Sequence, residues 1–360
     1  MITTATTERA VVFSEPLAFD LPPALEATAP PEVTLGRRDA VKLMVSRGTE
    51  APIHTHAYDL ARHLDPGDLV VLNTSATVPA AVDAIDHGSY VVVHFSTEMP
   101  DGSWLVEVRT PVDGAATLPN FGDFAGHRLE LPGGATVELR ERFAGSIRLW
   151  VASLDLGRPV VAYLEQWGRP IRYRYVPATW PIDAYRNVYA NEPGSAEMPS
   201  AGRPVTREVL TSLEARGGDI ATLLLHTGVA SLEANELPYP ERFRVSRQTA
   251  HRVNATHAAG HRVVAVGTTV VRALESATDT DGVTHSESGW TDVVITPERG
   301  VHAIDGLLTG WHAPEATHLQ MLEAVAGRRA LEIAYPAAVA AGYHWHEFGD
   351  SHLLLPDRET

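Results

Sequence analysis

The sequence has no cysteine and a single lysine, Lys42, among its 360 residues. The absence of cysteine excludes disulfide bonds, thiolate metal sites and a cysteine nucleophile. The formal net charge is −16, so no overall positive field draws the chain onto nucleic acid or an anionic membrane. A local cluster of arginines can still bind RNA, because phosphate contacts need only a few well-placed cations.

Long apolar runs are also absent, so no segment is predicted to span a bilayer. Residues 1–13 are polar and threonine-rich, without the basic end and apolar core of a signal peptide, and we expect a cytoplasmic protein. The sequence contains no H-E-x-x-H segment, Walker loop or G-x-G-x-x-G segment. The histidine pairs 54/56 and 344/346 lack a third ligand at useful spacing, so no metal is expected.

The order of apolar segments predicts a mixed α/β main domain with an inserted small antiparallel β-barrel. Between Val82 and Ser153, short β-branched runs alternate with Gly, Pro and Asp turns, as in small barrels. We therefore expect a discontinuous α/β domain over residues 1–81 and 154–360, and a barrel domain over residues 82–153. Among the predicted elements are helices at 160–167, 246–259 and 314–326 and a strand at 293–296.

The stretch from Val263 to Ser276 joins a buried strand to a helix through Gly267, Thr268 and Thr269. The two threonines are predicted to cap the helix, with backbone N–H groups facing outward at its N-terminus. Arg272 and Glu275 follow on one helical face. This unit is typical of a ligand site at the carboxyl edge of an α/β sheet, but an ordinary βα turn with a surface ion pair gives the same spacing.

Two histidines occupy comparable positions. His226 ends an apolar strand and precedes Gly228, while His312 follows Thr309-Gly310-Trp311. Each lies where a strand gives way to a loop, and a histidine there can act as a general base near neutral pH. A histidine that bonds a carbonyl or caps a helix would look the same, so the alternatives stay open for either residue alone.

The sequence resembles the S-adenosylmethionine:tRNA ribosyltransferase-isomerases of queuosine biosynthesis. The matching segments occur in the family's order along almost the whole chain: LNTSATVPA at 72–80, VYANEPGS at 188–195, PSAG at 199–202, LLHTG at 224–228, VGTTVVRALE at 266–275, TGWHAPEAT at 309–317 and FGD at 348–350. The resemblance implies a mixed α/β domain with an inserted β-barrel, in agreement with the change in pattern near Val82.

The resemblance also implies a reaction. Family members use S-adenosylmethionine as a ribosyl donor, and the amine of a 7-aminomethyl-7-deazaguanine base in tRNA attacks the ribosyl carbons. Adenine and methionine leave, and the product is epoxyqueuosine. Such chemistry needs a general base near the acidic C5′ hydrogens, donors that help adenine to leave, and a cavity that excludes water.

On this resemblance, His226 or His312 is expected to be the base, and Arg272, oriented by Glu275, is expected to bind the methionine carboxylate. Gly267, Thr268 and Thr269 would let a ligand approach the backbone, and Asp350 or Glu241 would bind ribose hydroxyls or the methionine ammonium. Further residues expected at the substrate are Asn73, Tyr189, Ser200, Gly202 and Gly228.

Several family positions differ in this chain: Pro204 replaces a histidine, Ala76 an arginine, and Gly310 an asparagine. The usual H-x-M-H-x-E segment corresponds to 236–241 and keeps only Glu241. These departures leave three hypotheses: the family's tRNA reaction, transfer to a small-molecule acceptor, or a non-catalytic binding protein. An anticodon loop would be bound by arginines and aromatic residues of one loop, namely Arg169, Arg172, Arg174, Arg186, Tyr173, Tyr175, Trp180 and Tyr185. A packed loop with solvated arginines is the alternative. A monomer is expected.

Overall fold

A computed structural model describes residues 17–112, 116–229, 239–314 and 316–357. Its strands are β1 Lys42–Arg47, β2 Ile53–His56, β3 Leu69–Asn73, β4 Ser75–Thr77, β5 Ala81–Asp86, β6 Ser89–Glu98, β7 Trp104–Pro111, β8 Thr117–Pro119, β9 Arg128–Glu130, β10 Thr136–Arg142, β11 Leu149–Asp155, β12 Glu192–Ser195, β13 Asp219–Leu225, β14 Glu241–Val245, β15 Val263–Val266, β16 Glu287–Thr291, β17 Gly306–Gly310 and β18 Ser351–Leu355.

The α-helices are α1 Pro31–Thr34, α2 Val160–Trp167, α3 Arg207–Ala215, α4 Arg247–Ala258, α5 Thr268–Ser276, α6 His318–Ala326 and α7 Arg328–Ala340. Short 3₁₀ helices lie at Pro23–Leu25, Arg38–Ala40, Ala57–Arg62, Pro132–Gly134, Ile182–Tyr185 and Ser200–Gly202. In the described ranges no helix combines the length and the apolar character needed to cross a membrane.

Nine strands form the main sheet in the order β16-β14-β13-β3-β15-β17-β18-β1-β2. Its central strands β13, β3, β15 and β17 are mutually parallel, so their carboxyl ends lie along one edge. These strands are almost entirely buried, because apolar clusters cover both faces of the sheet. The residues that follow them, among them His226, Gly267 and Trp311, therefore meet at the edge where α/β proteins bind ligands.

The second sheet is a closed antiparallel barrel, as the sequence predicts. Strands β5, β6, β7, β11, β10 and β9 pair in a ring that the β7–β11 pairing closes, and β8 adds to the outside of β7. The barrel has its own apolar cluster, which also includes Tyr163 and Leu164 of α2. Its strands lie between Ala81 and Asp155, and the domain boundaries at 82 and 153 stay a prediction.

Several local predictions are confirmed. Helix α2 has the predicted bounds, and Ser246 caps α4 by accepting a hydrogen bond from the Thr249 amide at 3.1 Å. Others are wrong. Segment 293–296 forms no strand, and α6 begins at His318 rather than Pro314. Segments 1–16 and 230–238, the latter within the diverged loop after His226, lie outside the described residues.

Candidate active site

A cavity of about 540 Å³ opens at the carboxyl edge of the main sheet. This size is typical of sites for small molecules and cofactors. Strand ends and the first turns of α5 and α6 form one part of its wall, and the segment between α2 and α3 and the turn before β18 form another. The predicted site residues that line it are Ser200, Gly228, Glu241, Gly267, Thr268, Thr269, Arg272 and His312.

The turn between β15 and α5 presents its backbone to the cavity. Gly267 is the N-cap residue and has a φ of 92°, a conformation that residues with a side chain rarely adopt. The prediction that threonine hydroxyls cap α5 is wrong, since no side chain bonds the first amides of this helix. Thr268 and Thr269 instead occupy its first turn and line the cavity. The helix N-terminus thus offers N–H donors and a positive partial charge to an anionic group.

Arg272 lines the cavity and pairs with Glu241 rather than with Glu275. Its Nη1 donates to the Glu241 carboxylate, Nη2 donates to the Thr291 carbonyl at 3.1 Å, and Nε donates to the Val293 carbonyl at 3.3 Å. Glu241 also accepts a hydrogen bond from the Gly228 amide at 2.8 Å. The pair is largely buried, and Arg272 connects α5 to β14 and to the neighbouring edge strand β16.

Glu275 makes internal contacts and does not line the cavity, and its expected catalytic role stays a prediction. Its buried carboxylate pairs with Arg299 and accepts hydrogen bonds from the amides of His302 and Ala303 at 2.7 and 2.8 Å. The three-residue spacing suggested an ion pair with Arg272 on one exposed face. Helix α5 is instead buried on several sides, so each charge meets a different polar partner.

His312 is the predicted general base that lies in the cavity wall. Its Nε2 is 3.0 Å from the hydroxyl oxygen of Thr309, and its ring stacks on His318 with 4.7 Å between ring centroids. Burial and the neighbouring His318 hold the pKa of His312 well below its usual range. Burial also lowers the pKa of His318 to about 4. Both imidazoles are therefore neutral at pH 7, the form in which one can accept a proton.

His226 ends β13 at the same edge but belongs to a hydroxyl network outside the cavity lining. Its Nδ1 is 2.7 Å from Ser75 Oγ, which is 2.6 Å from Ser195 Oγ. Its ring packs so closely on Gly194 that a methyl group there would overlap it. Burial lowers the pKa of His226 to about 4. These contacts favour a role in holding β4, β12 and β13 together.

Four other residues expected at the substrate make internal contacts and do not line the cavity. The side-chain amide of Asn73 donates to the Leu225 carbonyl and to Thr269 Oγ1 at 2.8 and 3.3 Å, and its side-chain oxygen accepts from the Leu225 amide at 3.0 Å. Tyr189 is half-buried against Gly202, where any side chain would meet its hydroxyl. Asp350 accepts hydrogen bonds from the amides of Lys42 and His344 at 2.6 and 2.7 Å. These contacts position neighbouring segments and leave the expected ligand contacts without support.

No local pattern in the sequence indicates that Glu347 and His318 lie at the site, and His346 was expected only as half of a histidine pair that binds no metal. All three line the cavity. Tyr173, Tyr175 and Tyr185, expected on an RNA-binding surface, line it too. Tyr175 stacks on both Tyr173 and His346, with centroid distances of 5.8 and 4.1 Å, and its hydroxyl donates to Glu347 at 2.6 Å.

Three of the four arginines that were hypothesised to bind an anticodon loop make internal contacts, and their role in RNA binding stays a prediction. Arg169 pairs with Asp83, Arg172 is buried and donates to the carbonyls of residues 176 and 177, and Arg186 donates to the Thr77 carbonyl. Of these four arginines, only Arg174 is exposed and has no hydrogen bond to another described residue. A loop rich in Arg and Pro has many backbone carbonyls outside regular structure, and guanidinium groups satisfy them.

The fold is that of an α/β protein with a ligand-sized cavity at the carboxyl ends of a largely parallel sheet. The model of the family described as queuosine biosynthesis protein matches residues 14–354, and the chain belongs to this family. It is 36% identical over 361 residues to the S-adenosylmethionine:tRNA ribosyltransferase-isomerase of Moorella thermoacetica, covering 95% of this chain and 99% of the relative. The enzyme of the same name from Heliobacterium modesticaldum is 34% identical, with 94% and 98% covered.

A solved structure has the same architecture. The S-adenosylmethionine tRNA ribosyltransferase of Thermotoga maritima is 26% identical and aligns over 94% of this chain and 99% of its own, with a TM-score of 0.51. The expected α/β fold with an inserted barrel is thus confirmed by both the topology and this neighbour.

Proposed function

We propose that this protein transfers and isomerises the ribosyl group of S-adenosylmethionine onto the aminomethyl group of 7-aminomethyl-7-deazaguanine in tRNA. The products are epoxyqueuosine in tRNA, adenine and methionine. The observation that carries the proposal is the near full-length identity to relatives named S-adenosylmethionine:tRNA ribosyltransferase-isomerase. A small-molecule acceptor is not favoured, because the names of these relatives include tRNA and the alignments cover 94–95% of this chain.

The cavity suits the donor in size and in chemistry. A volume of about 540 Å³ accommodates a nucleoside with an amino-acid side chain, and the wall combines apolar, aromatic and charged groups. The methionine carboxylate fits the N-terminus of α5 and the guanidinium of Arg272, which has more N–H donors than its three internal bonds use. The donor supplies the ribosyl group and a sulfonium that acidifies the C5′ hydrogens.

His312 is proposed as the base for a C5′ hydrogen. When Nε2 donates its proton to Thr309 Oγ1, Nδ1 keeps the lone pair that accepts a proton. The lowered pKa keeps the ring neutral, and stacking on His318 fixes its plane. His226 is not proposed as the base, because its ring bonds Ser75 and does not line the cavity. Glu241 is proposed to hold Arg272 in place, and its contact with Gly228 orders the loop after β13.

We also propose that a monomer is the active unit, acting on tRNA in the cytoplasm. The inserted barrel over residues 82–153 is proposed as a separate domain, and the closed ring of strands between Ala81 and Asp155 supports this division.

The proposal is tested by adenine release. The protein is incubated with S-adenosylmethionine and tRNA that carries either 7-aminomethyl-7-deazaguanine or guanine, and adenine is quantified by chromatography. Release that depends on the aminomethyl base is expected. Release with the free base only would favour a small-molecule acceptor, and the absence of S-adenosylmethionine binding by calorimetry would refute the proposal altogether.

A further inference from the structure

The part of the cavity wall formed by Tyr173, Tyr175, Glu197, His346 and Glu347 suits a flat ring that carries hydrogen-bond donors along one edge. Tyr173, Tyr175 and His346 form one stack with interplanar angles of 20° and 14°. Two carboxylates lie at the edge of this stack: Glu197 accepts from the Tyr173 hydroxyl, and Glu347 accepts from the Tyr175 hydroxyl. All five residues line the cavity. The donor-binding groups proposed above come from strand ends and α5, whereas these five come from a loop and a turn.

The turn that carries His346 and Glu347 is held in an unfavourable backbone conformation. His346 has a φ of 72°, one of two such values among the non-glycine residues that the structure describes. The turn is fixed by the bond from the Gly349 amide to the His346 carbonyl at 3.0 Å and by the carboxylate of Asp350, which bonds the amides of His344 and Lys42. Strain of this kind persists where the surroundings enforce it, and it concentrates at ligand sites.

The carboxylates at the edge of the aromatic stack favour one type of nucleobase over another. An ionised carboxylate only accepts hydrogen bonds. The edge of a guanine-type base presents two adjacent donors, a ring N–H and an exocyclic amine, whereas adenine presents one donor beside an acceptor. The Tyr175 hydroxyl donates to Oε2 of Glu347 at 2.6 Å and so turns this carboxylate toward the stack. Burial raises the pKa of Glu347, while the Tyr175 hydroxyl lowers it by stabilising the carboxylate.

The neighbouring sequence fits a nucleotide whose base enters the cavity. Tyr173 and Tyr175 line the cavity, and Arg174 between them is exposed in a turn that the Val176 amide closes by donating to the Tyr173 carbonyl at 3.1 Å. A base extruded from an RNA loop is read by stacking and by hydrogen bonds to its Watson–Crick edge. Arg174 would then lie outside the cavity, on the side where the phosphates of that loop remain.

We propose that Glu347, supported by the Tyr173–Tyr175–His346 stack, is the receptor for the donor edge of the deazaguanine-type target base. This inference rests on the proposed function and specifies how its acceptor is recognised. The adenine of the donor is not the preferred occupant, because a carboxylate leaves its ring-nitrogen acceptor unpaired. The test must therefore separate the affinity for the acceptor from the affinity for S-adenosylmethionine.

The test is a double-mutant cycle in which one change is Glu347→Gln in the protein and the other is removal of the exocyclic amine from the base. An anticodon stem-loop carrying 7-aminomethyl-7-deazaguanine is compared with one lacking the 2-amino group, and the dissociation constants are measured by fluorescence anisotropy. For the wild type we expect loss of the amine to weaken binding about tenfold. For Glu347→Gln we expect binding of the full base to fall by a similar factor and the second loss to be small.

Glu332→Gln, an exposed carboxylate on α7, is the matched control and should behave as the wild type. If Glu347→Gln folds poorly, Tyr175→Phe takes its place. It keeps the ring and removes only the hydroxyl that holds Glu347, so we expect a smaller loss of affinity for the stem-loop. Additive losses in the cycle, or an unchanged acceptor affinity in both variants, would overturn the inference while leaving the proposed function intact. A wild type that releases no adenine with any acceptor would instead refute the proposed function.

Discussion

The two walls of the cavity differ in how they are built. The strand-end wall, comprising Gly267, Thr268, Thr269, Arg272 and His312, follows directly from parallel strands that end at one edge. The loop wall, comprising Tyr173, Tyr175, His346 and Glu347, joins segments that lie 172 residues apart in the pair Tyr175–Glu347. The comparison separates a part of the site that the fold alone positions from a part that depends on specific long-range contacts.

The difference also suggests a division of labour. The strand-end wall offers a helix N-terminus, a cation and a neutral histidine, which suit the carboxylate and the acidic carbon of the donor. The loop wall offers stacked rings and carboxylates, which suit the acceptor base. The predictions below test this division, beginning with the largest expected effect.

Replacing His312 by alanine removes the proposed base from the strand-end wall. We expect kcat to fall by about 10²–10⁴, the usual contribution of general base catalysis, while the affinity for S-adenosylmethionine changes by less than about threefold. Single-turnover adenine release and calorimetry measure the two quantities. His251→Ala, an exposed histidine on α4, serves as the control. A His312→Ala enzyme of full rate would remove His312 from the mechanism.

Arg272→Ala removes a cation that the strand-end wall uses internally. The Glu241 carboxylate would be left buried without its partner, so we expect the free energy of unfolding to fall by about 3–5 kcal/mol. The double variant with Glu241→Gln should recover part of this loss, because the uncompensated charge is gone. Urea denaturation measures both. Equal losses in the single and double variants would show that the pair is not coupled.

Glu275→Gln tests whether the second charge of α5 belongs to the site at all. The carboxylate accepts two backbone amides and pairs with Arg299, so its loss should cost about 1–3 kcal/mol of unfolding free energy. The affinity for S-adenosylmethionine should stay as in the wild type, since Glu275 does not line the cavity. A weaker affinity in a variant that keeps its melting temperature would return Glu275 to the ligand site.

The smallest effect concerns pH. His318 is neutral and buried in the strand-end wall, with its pKa lowered from 6.5 to about 4. Between these values the unfolded chain binds more protons than the folded one, so the contribution of His318 to stability is complete above pH 6.5 and is lost as the pH falls toward 4. His318→Gln should therefore flatten the decline of unfolding free energy across this window. An unchanged slope would mean that His318 is accessible to protons in the folded state.

The predictable part of the site is the part encoded in short stretches of sequence. Thr268, Thr269 and His312 each follow a buried apolar strand, and their arrival at one edge requires only that the strands be parallel. The pairing of Arg272 with Glu241 was not predictable, because the sequence before β14 has no regular hydrophobic periodicity and the place of β14 beside α5 depends on its pairing with β13 and β16.

The loop wall is the part of the site that could not be predicted from the sequence. Tyr173 and Tyr175 were conspicuous in the sequence as aromatics among arginines, but nothing local indicates that they turn into the cavity. His346 and Glu347 reach them because Asp350 fixes a strained turn. Asp350 was itself expected to contact the ligand. Its carboxylate instead bonds the amides of His344 and Lys42 and so holds the turn that carries His346 and Glu347.

The division of the cavity is tested most directly by varying both substrates for one variant of each wall. Thr268→Val alters the strand-end wall, and Glu347→Gln alters the loop wall. We predict that Thr268→Val raises the KM for S-adenosylmethionine several-fold, on the order of one lost hydrogen bond, and leaves the KM for tRNA unchanged. Glu347→Gln should give the reverse pattern. If both variants raised the KM for the same substrate, the two walls would bind one ligand and the division would be contradicted.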